Sequence, residues 1–167
     1  HWGGLTLDIV KCFNTLPMQP LKSILVHLGI PLAVVQLWSM SITKMVRHWM
    51  LDFQLFEVPQ ATTGVPEGDS WSVLAMLGIN YLVVFHLQPL VDRLNTYADN
   101  WAYATSQPTQ HTPAIQKILQ ISHALSIAID WSKTWAWGTS QSHKDALKEA
   151  KDRCLDQEVQ LRQVLHA

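Results

Sequence analysis

From residue 70 to residue 91 the chain reads SWSVLAMLGINYLVVFHLQPLV, without a single Asp, Glu, Lys or Arg. Residues 23–43 form a second uncharged stretch. Runs of roughly this length either cross a bilayer as helices or lie under protein as core helices. The 23–43 run is interrupted by His27, Gly29, Pro31 and Gln36, and the 70–91 run by Asn80, His86, Gln88 and Pro89. Neither is flanked by the basic clusters that orient a transmembrane segment. Core helices, and no membrane segment, are therefore expected. With 48% hydrophobic and 15% charged residues, a chain of 167 has the material for one domain with a real core.

Strands and helices alternate around these runs. Residues 5–9 (LTLDI) follow Gly3-Gly4 and predict a short strand with Asp8 near its end. Pro17 and Pro20 open a helical stretch to about residue 28, which Gly29 breaks. Pro31 then occupies the first turn of a helix predicted to reach about residue 50, with Val34, Leu37, Trp38, Ile42 and Met45 as its core-facing stripe. Residues 53–58 (FQLFEV) predict a strand, followed by the loop ATTGVPEGD and a helix over 70–87. Residues 93–105 predict a hairpin with Asp99 at its tip. Thr112-Pro113 reads as the N-cap and first position of a further helix, with Ile115, Ile118, Leu119, Ser122 and Leu125 on one face. Residues 127–129 and 134–137 read as a strand pair about a turn at 130–132. Residues 142–165 turn charge-rich, with Leu147, Cys154, Leu161 and Leu165 as the narrow stripe of a solvated amphipathic helix that needs a partner. The fold class expected is α+β, a small antiparallel sheet packed on helices.

The charge balance and the soft ligands count against several classes of function. A net charge of −1 gives no basic footprint for nucleic acid on this segment by itself. Cys12 and Cys154 are far apart, and the eight histidines are scattered, so neither a disulfide framework nor a zinc site is indicated. For Trp135 and Trp137, two apart on a strand, core packing is expected over base stacking.

Four segments carry the chemistry: LTLDIVKCFNTLP (5–17), TGVPEGDSWSVLAM (63–76), NTYADNW (95–101) and IDWSKTWAWG (129–138). In their order and rough spacing they resemble motifs A to D of the palm of a reverse transcriptase. The first has an Asp followed five residues later by an aromatic, Asp8 and Phe13. The second is similar to the G-V-P-Q-G-D form of motif B, the third to Y-A-D-D of motif C, and the fourth to a Ser-Lys-Thr motif D. The style resembles non-LTR retrotransposon or group II intron-type enzymes more than retroviral ones.

The resemblance implies the right-hand palm of an RNA-directed DNA polymerase over residues 1–140, with residues 141–167 as a charged amphipathic helix. It implies two-metal nucleotidyl transfer from a dNTP to a primer 3′-OH, with an RNA template and a DNA primer as partners. Phosphoryl transfer of this kind uses two Mg²⁺ (or Mn²⁺) ions about 4 Å apart, held by hard carboxylate oxygens. Asp8 and Asp99 on neighbouring strands are the implied ligands, with the Ile9 carbonyl as a possible extra one. Asn100 stands where the second motif C acid belongs. Phe13 takes the place of the steric gate under the sugar. Gly64, Pro66, Glu67 and Gly68 form the nucleotide- and template-side loop, and Lys133 is the implied donor to the departing pyrophosphate.

Three departures qualify the expected activity. Asn100 is a neutral and poorer Mg²⁺ ligand than Asp, so weakened metal binding is expected. Glu67 replaces Gln in motif B and puts a negative charge on the phosphate side. Ser70-Trp71 replaces Pro-Leu at the start of the following helix. The fingers and thumb regions of a parent polyprotein are expected to be missing, and the basic surface with them. The isolated chain is thus expected to be weak or inactive, and intracellular (nuclear or cytoplasmic) if it derives from a retrotransposon. The alternative reading is a non-catalytic palm-like module that binds nucleic acid or protein.

Overall fold

A computed structural model of the protein describes residues 1–58, 64–66, 69–155 and 160–161. The chain divides into two compact units, His1–Val10 with Ile79–Ala167, and Lys11–Gly78.

The first unit is built on a five-stranded sheet in the order β4-β5-β1-β6-β7. Its strands are β1 (Gly3–Ile9), β4 (Arg93–Tyr97), β5 (Asn100–Thr105), β6 (Ile129–Gly138) and the two-residue β7 (Gln160–Leu161). Neighbours pair antiparallel except β7, which runs parallel to β6. Alternation sorts β1 into two faces. Leu5, Leu7 and Ile9 are buried, while Thr6 and Asp8 are half-buried on the other side. Opposite them on β5, Trp101 and Tyr103 are buried and pair with Leu7 and Leu5.

Helices cover this apolar face. The second half of α4 (Ser70–Leu87) buries Ile79, Val83 and Leu87, four residues apart, and Asn80 accepts the Trp101 indole N–H at 3.0 Å. Helix α5 (His111–Ala124) buries Ala114, Ile115, Ile118 and Ile121. Helix α6 (Gln141–Cys154), N-capped by Ser140, buries Leu147 and Ala150 and packs on α5. Each such Val, Leu or Ile side chain contributes roughly 1.5–3 kcal/mol by leaving water.

The second unit holds α1 (Cys12–Thr15), α2 (Met18–His27), α3 (Leu32–Thr43), the β2–β3 hairpin (Arg47–Leu51 with Gln54–Val58) and the start of α4. Leu21 and Leu25 from α2 and Val35, Trp38 and Ile42 from α3 are buried. Trp38 stacks on Trp71 with ring centroids 6.2 Å apart, and the Cys12 thiol lies 3.3 Å from the Met76 sulfur.

The α+β expectation holds, and so do the strand at Asp8, the helix over 70–87 and the hairpin over 93–105. Several boundaries are corrected. Helix α3 stops at Thr43, whose hydroxyl turns back on the Ser39 and Met40 carbonyls, and the chain re-enters as β2. The buried stripe of α3 is Val35, Trp38, Ser39 and Ile42; Leu37 is 71% exposed, and Val34 and Met45 are exposed too. Helix α5 begins at His111 after a 3-10 turn, without a Thr112 side-chain cap. Residues 129–138 are one strand, not two about a turn. Helix α6 ends at Cys154, so Leu161 belongs to β7, and Leu165 lies outside the described residues. Trp101 is fully buried, whereas Trp135 is 37% exposed and Trp137 half-buried. By length and composition Ser70–Leu90 could cross a membrane, with 39% of it buried inside the protein.

Candidate functional site

Asp8 stands near the end of the central strand, on the half-buried face opposite the helices. Pairing fixes its neighbours: Asn100 on β5 lies directly across on one flank and Asp130 on β6 on the other. Directly opposed strand residues on the same face have Cα atoms about 4.5–5.5 Å apart. The β4–β5 hairpin closes with a two-residue turn, Ala98-Asp99, between the paired Tyr97 and Asn100. Ala98 takes a left-handed φ of 48°, as such turns demand. The Asp99 carbonyl accepts the Ile9 amide at 3.0 Å, which ties the hairpin tip to the end of β1. The Asn100 side-chain amide donates to Asp99 Oδ1 at 3.1 Å.

Lys133 comes to the same place from β6. Its Nζ is 3.2 Å from Asp8 Oδ2 and 3.6 Å from Asp130 Oδ2. The hydrogen bond to Asp8 and then the charges of Asp8 and Asp130 push the Lys133 amine above its ordinary range. Asp130 is held low by the Ser132 hydroxyl first, and by Lys133 and backbone amides beside it. Lys133 is 63% exposed while Asp8 is only 16% exposed, so the lysine bridges the carboxylate to solvent. Asp8 Oδ1 is buried with no hydrogen-bond partner among the described residues.

The fold thus brings Asp8, Asp99, Asn100 and Lys133 to one end of the sheet in the first unit. Asp130 was read from sequence as a turn residue. Its placement beside Asp8 was signalled only by an acid three residues before Lys133. Among the described residues no group of three or more His, Cys, Asp or Glu is arranged to hold a metal.

Phe13, Gly64 and Pro66 fall in the second unit, where the backbone of residues 13–16 bonds that of residues 64–65. The Phe13 carbonyl accepts the Val65 amide at 2.7 Å, and the Leu16 carbonyl accepts that of Gly64 at 3.0 Å. Gly64 has a φ of 83°, and a Cβ there would collide with the Asn14 carbonyl. Only glycine satisfies both demands. Glu67 and Gly68 lie outside the described residues.

A second polar cluster, absent from the sequence reading, is buried between β5, α5 and α6. The Tyr103 hydroxyl is 3.1 Å from His111 Nδ1, and His111 Nε2 is 2.9 Å from His143 Nδ1. Burial, then the charge of His143, takes His111 down to about 4, and burial pushes the Tyr103 phenol up. A Cβ on Gly3 would lie 2.7 Å from His143 Nδ1 and 2.8 Å from His111 Nε2. Two histidines 32 residues apart give no local sequence signal of this contact.

Comparison with known proteins rests on this geometry, since by sequence the chain matches no protein-family model and no curated protein. The structure of telomerase from Candida tropicalis, in complex with a TWJ fragment of telomeric RNA, superposes with a TM-score of 0.67 at 12% identity. The chain is similar in fold to part of telomerase. Apo telomerase from the same organism, truncated from its C-terminal domain, gives 0.63 at 14% identity. The matches cover 81% and 84% of this chain but only 26% and 31% of the telomerase chains. The likeness is one of fold, and the chain spans about a quarter to a third of those proteins.

Proposed function

We propose that the chain is the palm of a reverse transcriptase-like protein, an RNA-directed DNA polymerase by descent, of non-LTR retrotransposon or group II intron style. The observation that carries this reading is the pairing of Asp8 on the central strand with a hairpin bearing Asp99 at its tip. That pairing occurs in a chain whose fold matches part of telomerase.

The donor set fits a hard divalent cation in kind. Asp8 offers a buried oxygen without a hydrogen-bond partner among the described residues, and Asp99 a second carboxylate tied to the end of the same strand. Asp8, Asp99 and the Ile9 carbonyl would hold Mg²⁺ or Mn²⁺, with Asn100 as a neutral neighbour. The ions, when bound, would lower the charge on the attacking and departing oxygens. In the reaction the primer 3′-oxygen bonds to the α-phosphorus of the dNTP as the bond to the β-phosphate oxygen breaks. The hydroxyl proton leaves to solvent, and the protonated Lys133 gives a proton to the departing pyrophosphate. A cation and Lys133 compete for Asp8 Oδ2, which with Asn100 favours weak activity. The same two features support the second reading, a non-catalytic palm-like module that binds nucleic acid or protein.

Primer extension on an RNA template with Mg²⁺ or Mn²⁺ tests the chemistry, and Mn²⁺-induced broadening of NMR signals tests the site. Incorporation is expected to be slow, to need the cation and to vanish in Asp99→Ala. Broadening is expected around Asp8 and Asp99 and to be lost in Asp8→Asn. Cation-independent incorporation would overturn the mechanism, and broadening centred elsewhere would overturn the site.

A further inference from the structure

The route by which Lys133 reaches Asp8 is unusual for a strand. Along β1 the pairing advances only from Thr6 to Asp8, while on β6 it passes from Trp135 to Asp130. Residues 131–134 are therefore looped out of register, as an enlarged bulge that re-aims side chains. Asp130 closes that loop from three directions. Its Oδ1 accepts the Ser132 amide at 3.1 Å and the Ser132 hydroxyl at 2.5 Å, and its carbonyl accepts the Thr134 hydroxyl at 2.8 Å. Its other carboxylate oxygen, Oδ2, lies 3.6 Å from Lys133 Nζ.

From this geometry we infer that Asp130 is the positioning residue for Lys133: one carboxylate oxygen shapes the bulge, and the other tethers the ammonium beside Asp8. The catalytic part of this inference rests on the polymerase reading; the tether does not. The division of labour matters because Lys133 and a divalent cation need the same oxygen of Asp8. With Asp130 alongside, a lysine displaced from Asp8 keeps a carboxylate partner and stays at the reacting end of the sheet. Without that partner, a side chain already 63% exposed would leave for water.

The two oxygens can be separated by substitution in the full chain. Asp130→Asn retains an acceptor for the Ser132 groups but removes the charge, whereas Asp130→Ala removes both. In a lysine-¹⁵N spectrum, Asp130→Asn is expected to shift or broaden the Lys133 ammonium signal while the amides of residues 131–134 stay near their wild-type positions. Asp130→Ala should move both sets. A Lys133 signal in Asp130→Asn that coincides with wild type overturns the tether. In single-turnover incorporation with enzyme in excess, Asp130→Asn is expected to slow the chemical step by at least about tenfold, a modest share of what a general acid supplies. The KM for dNTP should be unchanged, with no further loss on a Lys133→Ala background. A wild-type rate in Asp130→Asn overturns the positioning role and leaves the polymerase reading standing. No incorporation by wild type, with the ammonium response present, overturns that reading and reduces Asp130 to a structural tether.

Discussion

Gly64 shows how much one residue of a short loop is asked to do. Its φ of 83° lies where a side chain is strained, and the Asn14 carbonyl fills the space a Cβ would take. Gly29 has a similar φ of 91°, but a Cβ there meets nothing within 4 Å. The pair therefore separates two costs that usually come together. Gly29→Ala is expected to lose only the left-handed penalty, about 1 kcal/mol, and Gly64→Ala at least about 1–2 kcal/mol more as the loop is pushed off α1. Urea unfolding of the two variants checks this, and equal losses would show that the close approach to Asn14 costs nothing. Asn100 is a different case at the same scale. It sits directly across from Asp8 and gives its amide hydrogen to Asp99, so a neutral donor stands where an acid would add charge. Asn100 was visible in the sequence; the proximity of Asp130 to Asp8 was not.

Elements were legible where a single period ran between clear punctuation. The helix over 70–87 and the hairpin over 93–105 were read with the bounds observed, because Pro89 and the turn residues mark their ends. Helix α3 was overextended because an apolar repeat continued through Met45. The turn that makes β2–β3 a hairpin is Asp52-Phe53, both with positive φ and without a glycine to announce it. In β6, Asp130-Trp131-Ser132 resembles a turn because the Asp130 carboxylate accepts the Ser132 amide and hydroxyl there, but inside a strand pinned by β1 those bonds make a bulge. Of the site, the carboxylates came from short motifs, while the flank supplied by β6 depended on register, which local sequence does not encode. Joining α4 to the sheet also depends on a pair that only the fold brings together, Asn80 and Trp101. Asn80→Ala would leave the buried indole N–H without an acceptor, a loss of about 1–3 kcal/mol. The indole proton of Trp101 should move upfield in the NMR spectrum; a signal that does not move would mean the bond to Asn80 carries no weight.

Across the whole molecule, the Tyr103–His111–His143 chain links stability to pH. Around it stand the Ser106 carbonyl, which favours protonated His143, the charged chain N-terminus, which opposes it, and Cys154 near Tyr103. The His111 Nε2–His143 Nδ1 contact holds a single proton, and a second one there would set donor against donor. Burial takes His111 from 6.5 when unfolded to about 4 when folded, so between these values the unfolded chain binds a proton that the folded chain refuses. Stability contributed by neutral His111 is fully present above 6.5 and is lost as pH falls toward 4. From about pH 7.5 to about pH 5 the expected loss is about 2 kcal/mol, read as a fall in the urea midpoint. The window excludes Asp92 and Asp130, whose carboxyls are held below the ordinary 3.8 by Ser106 and Ser132 and contribute stability that is lost only at lower pH. His111→Gln, neutral throughout, should lower stability at pH 7.5 and flatten the profile down to pH 5. A variant profile as steep as wild type would place the acid sensitivity elsewhere in the molecule. A flattened one would assign it to the buried pair joining α5 and α6 beneath the sheet, away from Asp8 and Lys133.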